Sequence, residues 1–388
     1  MTTVLLTGFP GFLGSALVER LLDRHGDGDA LLLLVQARYR EAAERRRETL
    51  LSDARTDGPG GDPTGSADLP TVDLIEGDIT DPNLGAAGTG DADSTAGWDR
   101  DALAARTDLV YHLAAVYDLG VDRDLAEAGN GDGTRHVLEF CADACDDGDL
   151  DRLHYMSTCY VSGRYDGTFT GELLAEAGPF NNHYEATKHR AEVLVREAAE
   201  RQGLPATVYR PAIAVGDSTT GKTQKYDGPY YLLDLVRRQR GVAFVPRIGD
   251  PHATTLNLVP RNSVGDASDA HRGMADPVGG TYQLCDPNPP TIAGLYRAFG
   301  RATGRRVVPV PASARLAKAA CEAPLLGDLL RLEPETVPYL THPTEYAAGA
   351  TRAALAGTGI EPPAFESYVD ALVAYVREHP EITADAMV

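Results

Sequence analysis

Apolar residues in the first half of the chain come in short runs. Val4–Leu6 and Leu31–Val35 are unbroken, and Val72–Glu76, Leu109–Leu113 and Leu153–Met156 are further short strands, each bounded by turn residues or by a stretch of helical spacing. An unbroken run describes a strand buried on both faces, as in a parallel sheet covered by helices. Helical periodicity runs from about Phe12 to Leu22, and a charged helical stretch covers Arg40–Leu50. Strand alternating with helix predicts an α/β fold with a doubly wound parallel sheet. After Arg210-Pro211 the segments read as helical (Tyr230–Arg240, Ile292–Thr303, Ala312–Leu332, Phe365–Glu378) and are punctuated by Pro and Gly. They predict a smaller, mostly helical lobe over the carboxyl ends of the strands, where α/β sheets bind ligands. The expected division is a sheet domain over 1–215, to which 255–269 returns, and a substrate-binding lobe over 216–254 and 270–388. Asp57–Asp68 and Gly85–Gly97 lack periodicity and are rich in Gly, Asp and Ser, as surface insertions are.

Charge narrows the classes. The chain has 388 residues, with 36 Lys+Arg against 57 Asp+Glu and a formal charge of −21. So acidic a surface has no basic patch to neutralise phosphates, which excludes a general nucleic-acid binder. Only four of the basic residues are lysines: Lys188, Lys222, Lys225 and Lys318. An acidic, lysine-poor surface suits high salt, where screening removes self-repulsion; a high-GC genome that favours arginine is the alternative. The five cysteines are scattered, with Cys141 and Cys145 one helical turn apart and no second pair at zinc spacing. Reduced core thiols and no metal site are expected. The chain opens on a strand with no room for a signal peptide, and no apolar run approaches the length of a bilayer span. The expected location is the cytoplasm.

The loop after the first strand, Thr7-Gly8-Phe9-Pro10-Gly11-Phe12-Leu13-Gly14, places three glycines between a strand and a helix. The first permits a tight turn, the second lets backbone approach a pyrophosphate, and the third allows close helix–strand packing. The helix N-terminus then offers N–H groups to the phosphates. A dinucleotide is the expected cofactor, the sheet a Rossmann sheet, and Thr7, Gly8, Gly11, Phe12, Leu13 and Gly14 its contacts. An NAD-preferring site carries Asp or Glu at the end of the second strand. Here the run is Val35-Gln36-Ala37-Arg38, followed by Arg40 and Arg45, with no carboxylate before Glu41. A 2′-phosphate meets no acid there, so NADP(H) is expected with Arg38 on its phosphate, while NAD(H) stays open. The competing reading makes these arginines only the solvated face of the next helix. Asp78-Ile79 is placed to reach the adenine, and Leu113-Ala114-Ala115 offers small residues where the dinucleotide crosses the sheet.

Tyr184 and Lys188 stand four residues apart on one helical face. A free tyrosine, with pKa about 10, is a poor acid at neutrality. A lysine charge about 4 Å away contributes on the order of 4 kcal/mol at an effective dielectric of 20, moving the phenol toward operating pH before desolvation opposes it. Lys188 is the only lysine in the first 221 residues, which points to a need for a compact ammonium able to reach a cofactor ribose. Ser157 and Thr158 leave a strand end and place two hydroxyls near the same crevice. His112 ends a buried strand and reads as a core histidine, while His183 neighbours the tyrosine and at most shapes the pocket. Ala312–Leu332 is amphipathic and reads as lobe core, with a lipid-facing helix as the alternative.

These motifs, spread from Met1 to about Pro290, resemble those of extended short-chain dehydrogenase/reductases. The resemblance implies that a Ser/Thr hydroxyl, Tyr and Lys act on a carbonyl or alcohol while a nicotinamide exchanges hydride. It assigns the hydroxyl to Thr158 rather than Ser157, by spacing to the following Val-x-Gly. It makes Asn130 the helix asparagine that supports the lysine through water, although Gly129 departs from the usual hydrophobic neighbour. Arg210-Pro211-Ala212-Ile213 resembles the loop that contacts the nicotinamide carboxamide, adding Pro211 and Ile213 to the cofactor residues. Within the family, TGFPGFLG, LLLLVQAR, GDITDPNLG, YRPAIAVGDSTTG and DGPYY resemble the fatty acyl-CoA reductase and thioester-reductase branch. That branch commonly carries Arg where this chain has Gln36, which leaves NADP preference here on Arg38.

The expected function is NADPH-dependent reduction of a carbonyl, a fatty acyl thioester or aldehyde. Tyr184 would donate the proton, Thr158 hold the oxygen, and Lys188 lower the phenol's pKa and bind ribose. A nucleotide-sugar epimerase or dehydratase with tightly bound NAD(P) shares the whole constellation, and a non-catalytic nicotinamide-binding module is the remaining alternative. The helices near Leu125–Cys145 and Tyr184–Glu200 offer apolar stripes (Val137, Leu138, Cys141 and Ala191, Leu194, Val195, Ala198) to a homodimer contact or to the sheet.

Overall fold

The computed structural model describes residues 1–57, 69–86, 98–270, 280–323 and 332–383. Apart from Asp57, Gly85 and Ala86, both expected surface insertions lie outside the described residues. The chain begins β1 (Thr3–Thr7), α1 (Phe12–Arg24), β2 (Ala30–Val35), α2 (Arg40–Asp57), β3 (Thr71–Glu76), α3 (Arg100–Ala104) and β4 (Leu109–His112). It continues through α4 (Arg123–Ala126), α5 (Gly133–Asp147), β5 (Arg152–Met156), β6 (Gly167–Phe169), α6 (His183–Gln202), β7 (Ala206–Pro211) and β8 (Ile213–Val215). Then come α7 (Pro229–Arg238), β9 (Val242–Arg247), β10 (Leu258–Pro260), α8 (Arg261–Ala270), β11 (Gly280–Leu284), α9 (Ile292–Thr303) and β12 (Arg306–Pro311). The described elements end with α10 (Ala314–Glu322), β13 (Thr344–Tyr346), α11 (Gly349–Ala354) and α12 (Phe365–Glu378).

Seven strands form one parallel sheet in the order β11-β7-β5-β4-β1-β2-β3. The period-2 alternation of a strand divides its side chains between two cores. On β1, Val4 and Leu6 join Leu17, Leu21 and Leu50 on the α1–α2 face, while Leu5 joins Phe140, Cys141 and Val195 on the α5–α6 face. Strand order reverses between β1 and β4, so a crevice opens at their carboxyl ends, the position of ligand sites in such sheets.

One expectation changes here. Gly280–Leu284, expected in the lobe, pairs with β7 as an edge strand of the main sheet. Of the two readings of the α5 and α6 stripes, the structure carries the packing on the sheet: Val137, Cys141, Ala191, Val195 and Ala198 are buried in the core beneath these helices. Between α4 and α5 the helix relaxes into a π turn, Glu127–Asp132, which carries Asn130.

The lobe has its own core, built by α7, α9, α12 and the parallel pair β9–β12. The stretch Ala312–Leu332 is described as α10, while 324–331 lie outside the described residues. None of the residues of α10 is fully buried, but Ala312, Ala317 and Cys321 pack partly buried against the lobe core, which Leu332 joins. Among the described residues, no helix is long and apolar enough to cross a membrane.

Candidate active site

The loop between β1 and α1 is shaped by close backbone approach. A Cβ on Gly8 (φ +94°) would lie 2.7 Å from the Ala114 nitrogen, and one on Gly14 would lie 2.4 Å from the Gly8 carbonyl oxygen. No side chain caps α1, whose N-cap is Gly11. The loop is thus a bare backbone cradle at a helix N-terminus, suited to a pyrophosphate. Phe12, Leu13, Asp78, Ile79, Leu113, Ala114, Ala115, Pro211 and Ile213 line the same cleft. Thr7 does so as well, with its hydroxyl 2.8 Å from His112 Nδ1 and accepting from Ala114 N–H at 3.1 Å. His112 is a core histidine: its Nε2 is 3.1 Å from the Thr134 hydroxyl, and burial pushes its pKa down to about 3.

The groove arginines differ from the expectation. Arg38 Nε donates to Gln36 Oε1 at 2.8 Å, Gln36 Nε2 donates to Asp78 Oδ2 at 2.9 Å, and the Arg38 guanidinium lies 4.8 Å from the Tyr39 ring centre. Arg40 is held by Glu44, and Arg45 by Glu41. Arg38, Arg45 and Arg46 all line the cleft, and Arg46 is the one of the three with Nε and Nη2 buried and without a hydrogen-bond partner. Burial, and next the charge of Arg261, hold its pKa below the ordinary arginine value. Unpaired guanidinium N–H groups at the edge of a phosphate cradle fit an anionic group of the cofactor. Ala42, Arg45, Arg46 and Thr49 of α2 all line the cleft, and of the two arginines Arg45 is spent on Glu41 while Arg46 is not.

The α6 side chains and the end of β5 converge on the crevice. Tyr184 is 7% and Lys188 2% exposed, and the Thr158 hydroxyl, which accepts from Tyr160 N–H at 3.3 Å and donates to the Pro211 carbonyl at 3.5 Å, lies beside the Tyr184 phenol. Ser157 points elsewhere, donating to the fully buried Glu192 at 2.6 Å. Burial pushes the Tyr184 phenol well up, the Thr158 hydroxyl opposing it. Lys188 therefore does not bring the phenol down in this arrangement. Its Nζ donates to the Met156 carbonyl at 2.8 Å and lies 4.5 Å from the Tyr155 ring centre, and burial drives its own pKa down to about 7. Asn130 is held by the Val116 backbone and donates to the hydroxyl of Thr187, the residue before Lys188, at 3.0 Å. His183 begins α6 and is not among the cleft-lining residues.

Two supports for α6 are not evident from sequence. Arg210, fully buried, donates to Glu192 through Nη2 at 2.7 Å and through Nε at 3.0 and 3.1 Å. Its guanidinium is therefore structural, and the residues that follow it, Pro211 to Ala214, line the cleft. At the other end of α6, the Tyr339 hydroxyl of the lobe donates to Glu185 at 2.6 Å.

One cleft of about 1500 Å³ runs from the glycine loop past Tyr184 into the lobe. Its lobe end is apolar, with Phe244, Val245, Ile248, Val310, Leu316 and Leu340 among the walls. Among the described residues, no cluster of His, Cys, Asp or Glu has the makings of a metal site.

A bare phosphate cradle joined to a Thr-Tyr-Lys set on a doubly wound sheet is the architecture of an extended short-chain dehydrogenase/reductase. Residues 6–267 match the profile of the NAD-binding family described as Male sterility protein, and the chain belongs to that family. The L-2-aminoadipate reductase large subunit of Penicillium chrysogenum is 28% identical over 278 residues, a match covering 68% of this chain and 18% of that subunit. This chain spans less than two thirds of the length of the curated relatives it matches. Among solved structures, the terminal R domain of the myxalamid PKS-NRPS pathway superposes with a TM-score of 0.76 at 24% identity, covering 100% of this chain and 93% of that one. A thiolation-reductase di-domain from an archaeal non-ribosomal peptide synthetase gives 0.70 at 18% identity, covering 98% and 76%. At these identities the structural matches establish the fold.

Proposed function

We propose that the protein reduces an acyl thioester, or the corresponding aldehyde, with NADPH. The observation that carries this reading is the single cleft in which Thr158, Tyr184 and Lys188 separate a phosphate cradle from an apolar lobe pocket. The pocket suits an acyl chain, and the reductase relatives favour a thioester. The unpartnered N–H groups of Arg46 favour the 2′-phosphate. Bound NADPH supplies the hydride. The Thr158 and Tyr184 hydroxyls hold the carbonyl oxygen, and Tyr184 gives up its proton as that oxygen gains negative charge. Lys188 supplies positive charge beside the phenolate left behind. A reduced thioester then expels its thiol to leave the aldehyde.

The test is turnover with NADPH or NADH against acyl-CoAs, aldehydes, ketones and UDP- or dTDP-sugars. Loss of NADPH absorbance with acyl-CoA or aldehyde is expected. Tyr184→Phe should lower that rate by on the order of 10²–10⁴, the usual worth of a general acid, while cofactor affinity stays nearly constant. Turnover of nucleotide sugars alone would overturn the reading.

A further inference from the structure

A strap formed by residues 217–228 crosses the cleft and carries two of the chain's four lysines. It is tied down on several sides. Gln224 Nε2 donates to the Pro10 carbonyl and to the Ser15 hydroxyl, both at 3.3 Å, which fixes it to the glycine loop. Lys222 pairs with Asp53 of α2 at 3.6 Å, and Tyr226 N–H donates to the Thr383 carbonyl at 2.9 Å. Between these ties, Lys225 Nζ lies 2.6 Å from Asp227 Oδ2 and 3.9 Å from the centre of the Tyr117 ring. The Tyr117 ring in turn meets the Tyr184 ring at 5.1 Å and 89°, an edge-to-face contact. Tyr117 is 38% exposed and follows β4 in a segment without regular structure.

We infer that Lys225, clamped by Asp227 over the face of Tyr117, is a positioning residue that holds Tyr117 against Tyr184 and so sets the orientation of the phenol. The inference rests on the reading of Tyr184 as proton donor. A cation is attracted to the face of an aromatic ring and leaves its edges free to pack, so the ammonium fixes one ring while that ring fixes the next. The carboxylate of Asp227 keeps the ammonium from turning toward solvent. The chain uses arginine at nearly every basic position, and a compact ammonium is what centres on a ring at this distance.

Lys225→Met, Tyr117→Leu and the double variant test this, with kcat and NADPH affinity measured separately. Lys225→Met is expected to lower kcat about tenfold or more with NADPH Kd within about twofold, the split of a residue that acts on the reacting geometry. Because both residues act through one contact, the double variant should fall no more than about twofold below the worse single variant. Losses that multiply would show that Lys225 acts independently of Tyr117 and would overturn the inference, as would a raised Kd with unchanged kcat, the mark of a phosphate ligand. A crystal structure of Lys225→Met gives a readout independent of turnover. A displaced Tyr117 ring supports the inference even if no acyl substrate is reduced, and an unmoved ring overturns it.

Discussion

Ser157 and Thr158 are adjacent hydroxyls with different neighbours, a buried carboxylate for one and the cleft phenol for the other. Thr158→Ala should therefore cut kcat and leave the unfolding midpoint nearly unchanged. Ser157→Ala should instead cost about 1.5–3 kcal/mol of stability, the worth of a hydrogen bond to a charged group, read from denaturant melts. The reverse pattern would move the catalytic role to Ser157. Lys188 yields a proton-linkage prediction. Burial lowers its folded-state pKa from 10.5 to about 7. Above that value the folded, ligand-free protein has released a proton that the unfolded chain keeps. This group's contribution to stability is fully present above about pH 10 and is lost as pH falls toward 7. An anionic cofactor beside Lys188 favours its charged form. Binding of NADPH near pH 8 should thus take up a proton, less uptake should occur near pH 6, and Lys188→Met should abolish it. Calorimetry in buffers of different ionisation enthalpy measures this directly, and uptake unchanged in Lys188→Met would assign the proton to another group.

On the reading proposed above, cofactor choice rests on the β2–α2 unit. Arg38 is already engaged with Gln36 and Tyr39, whereas Arg46, on the inward face of α2, has N–H groups to spare. Arg46→Ala should weaken NADPH binding by about 1.5–3 kcal/mol, the worth of a charge-assisted hydrogen bond, with little change for NADH, and Arg38→Ala should do less. Equal effects on both cofactors would remove Arg46 from the 2′-phosphate. Sequence shows the arginine cluster, while only the seated helix shows which member is left unpaired in the groove. The same limit recurs at larger elements. The buried strands are legible because Ala30–Val35 is an unbroken and Leu109–His112 a nearly unbroken apolar run between helices. In β11, Gly280–Leu284, only Tyr282 and Leu284 are buried apolar residues, so the edge strand leaves no such run. β9 and β12 each contain proline, which a two-stranded edge tolerates and sequence patterning counts against. The stripes on α5 and α6 announce that a face is buried without naming what covers it. The glycine loop and the Tyr184–Lys188 pair are readable because their chemistry is local. The Glu192–Arg210 and Glu185–Tyr339 pairs join residues 18 and 154 positions apart, and no short-range spacing betrays them.

Across the whole molecule a charge of −21 must be carried by one folded surface. Repulsion among its carboxylates is felt over a Debye length of about 30 Å at 0.01 M salt and about 3 Å at 1 M. Melting temperature and activity should rise with KCl between roughly 0.05 and 3 M if the surface is salt-adapted. A flat response, with a stable and active enzyme at the low end, would attribute the arginines to genome composition. The molecule is also stitched across its two halves beside the start of α6. The Tyr339 hydroxyl accepts from Asn182 at 3.0 Å while donating to Glu185, Arg164 reaches the Pro338 and Thr341 carbonyls at 3.3 and 2.9 Å, and β13 pairs with β6. For chimera building, this sets where the scissors go. A lobe borrowed from a relative to change substrate range has to arrive with its counterpart of 334–346 matched to the host's α6. Otherwise the helix that presents Tyr184 starts from a buried carboxylate stripped of its donor, and the hybrid loses its active-site helix before its new pocket can be tried.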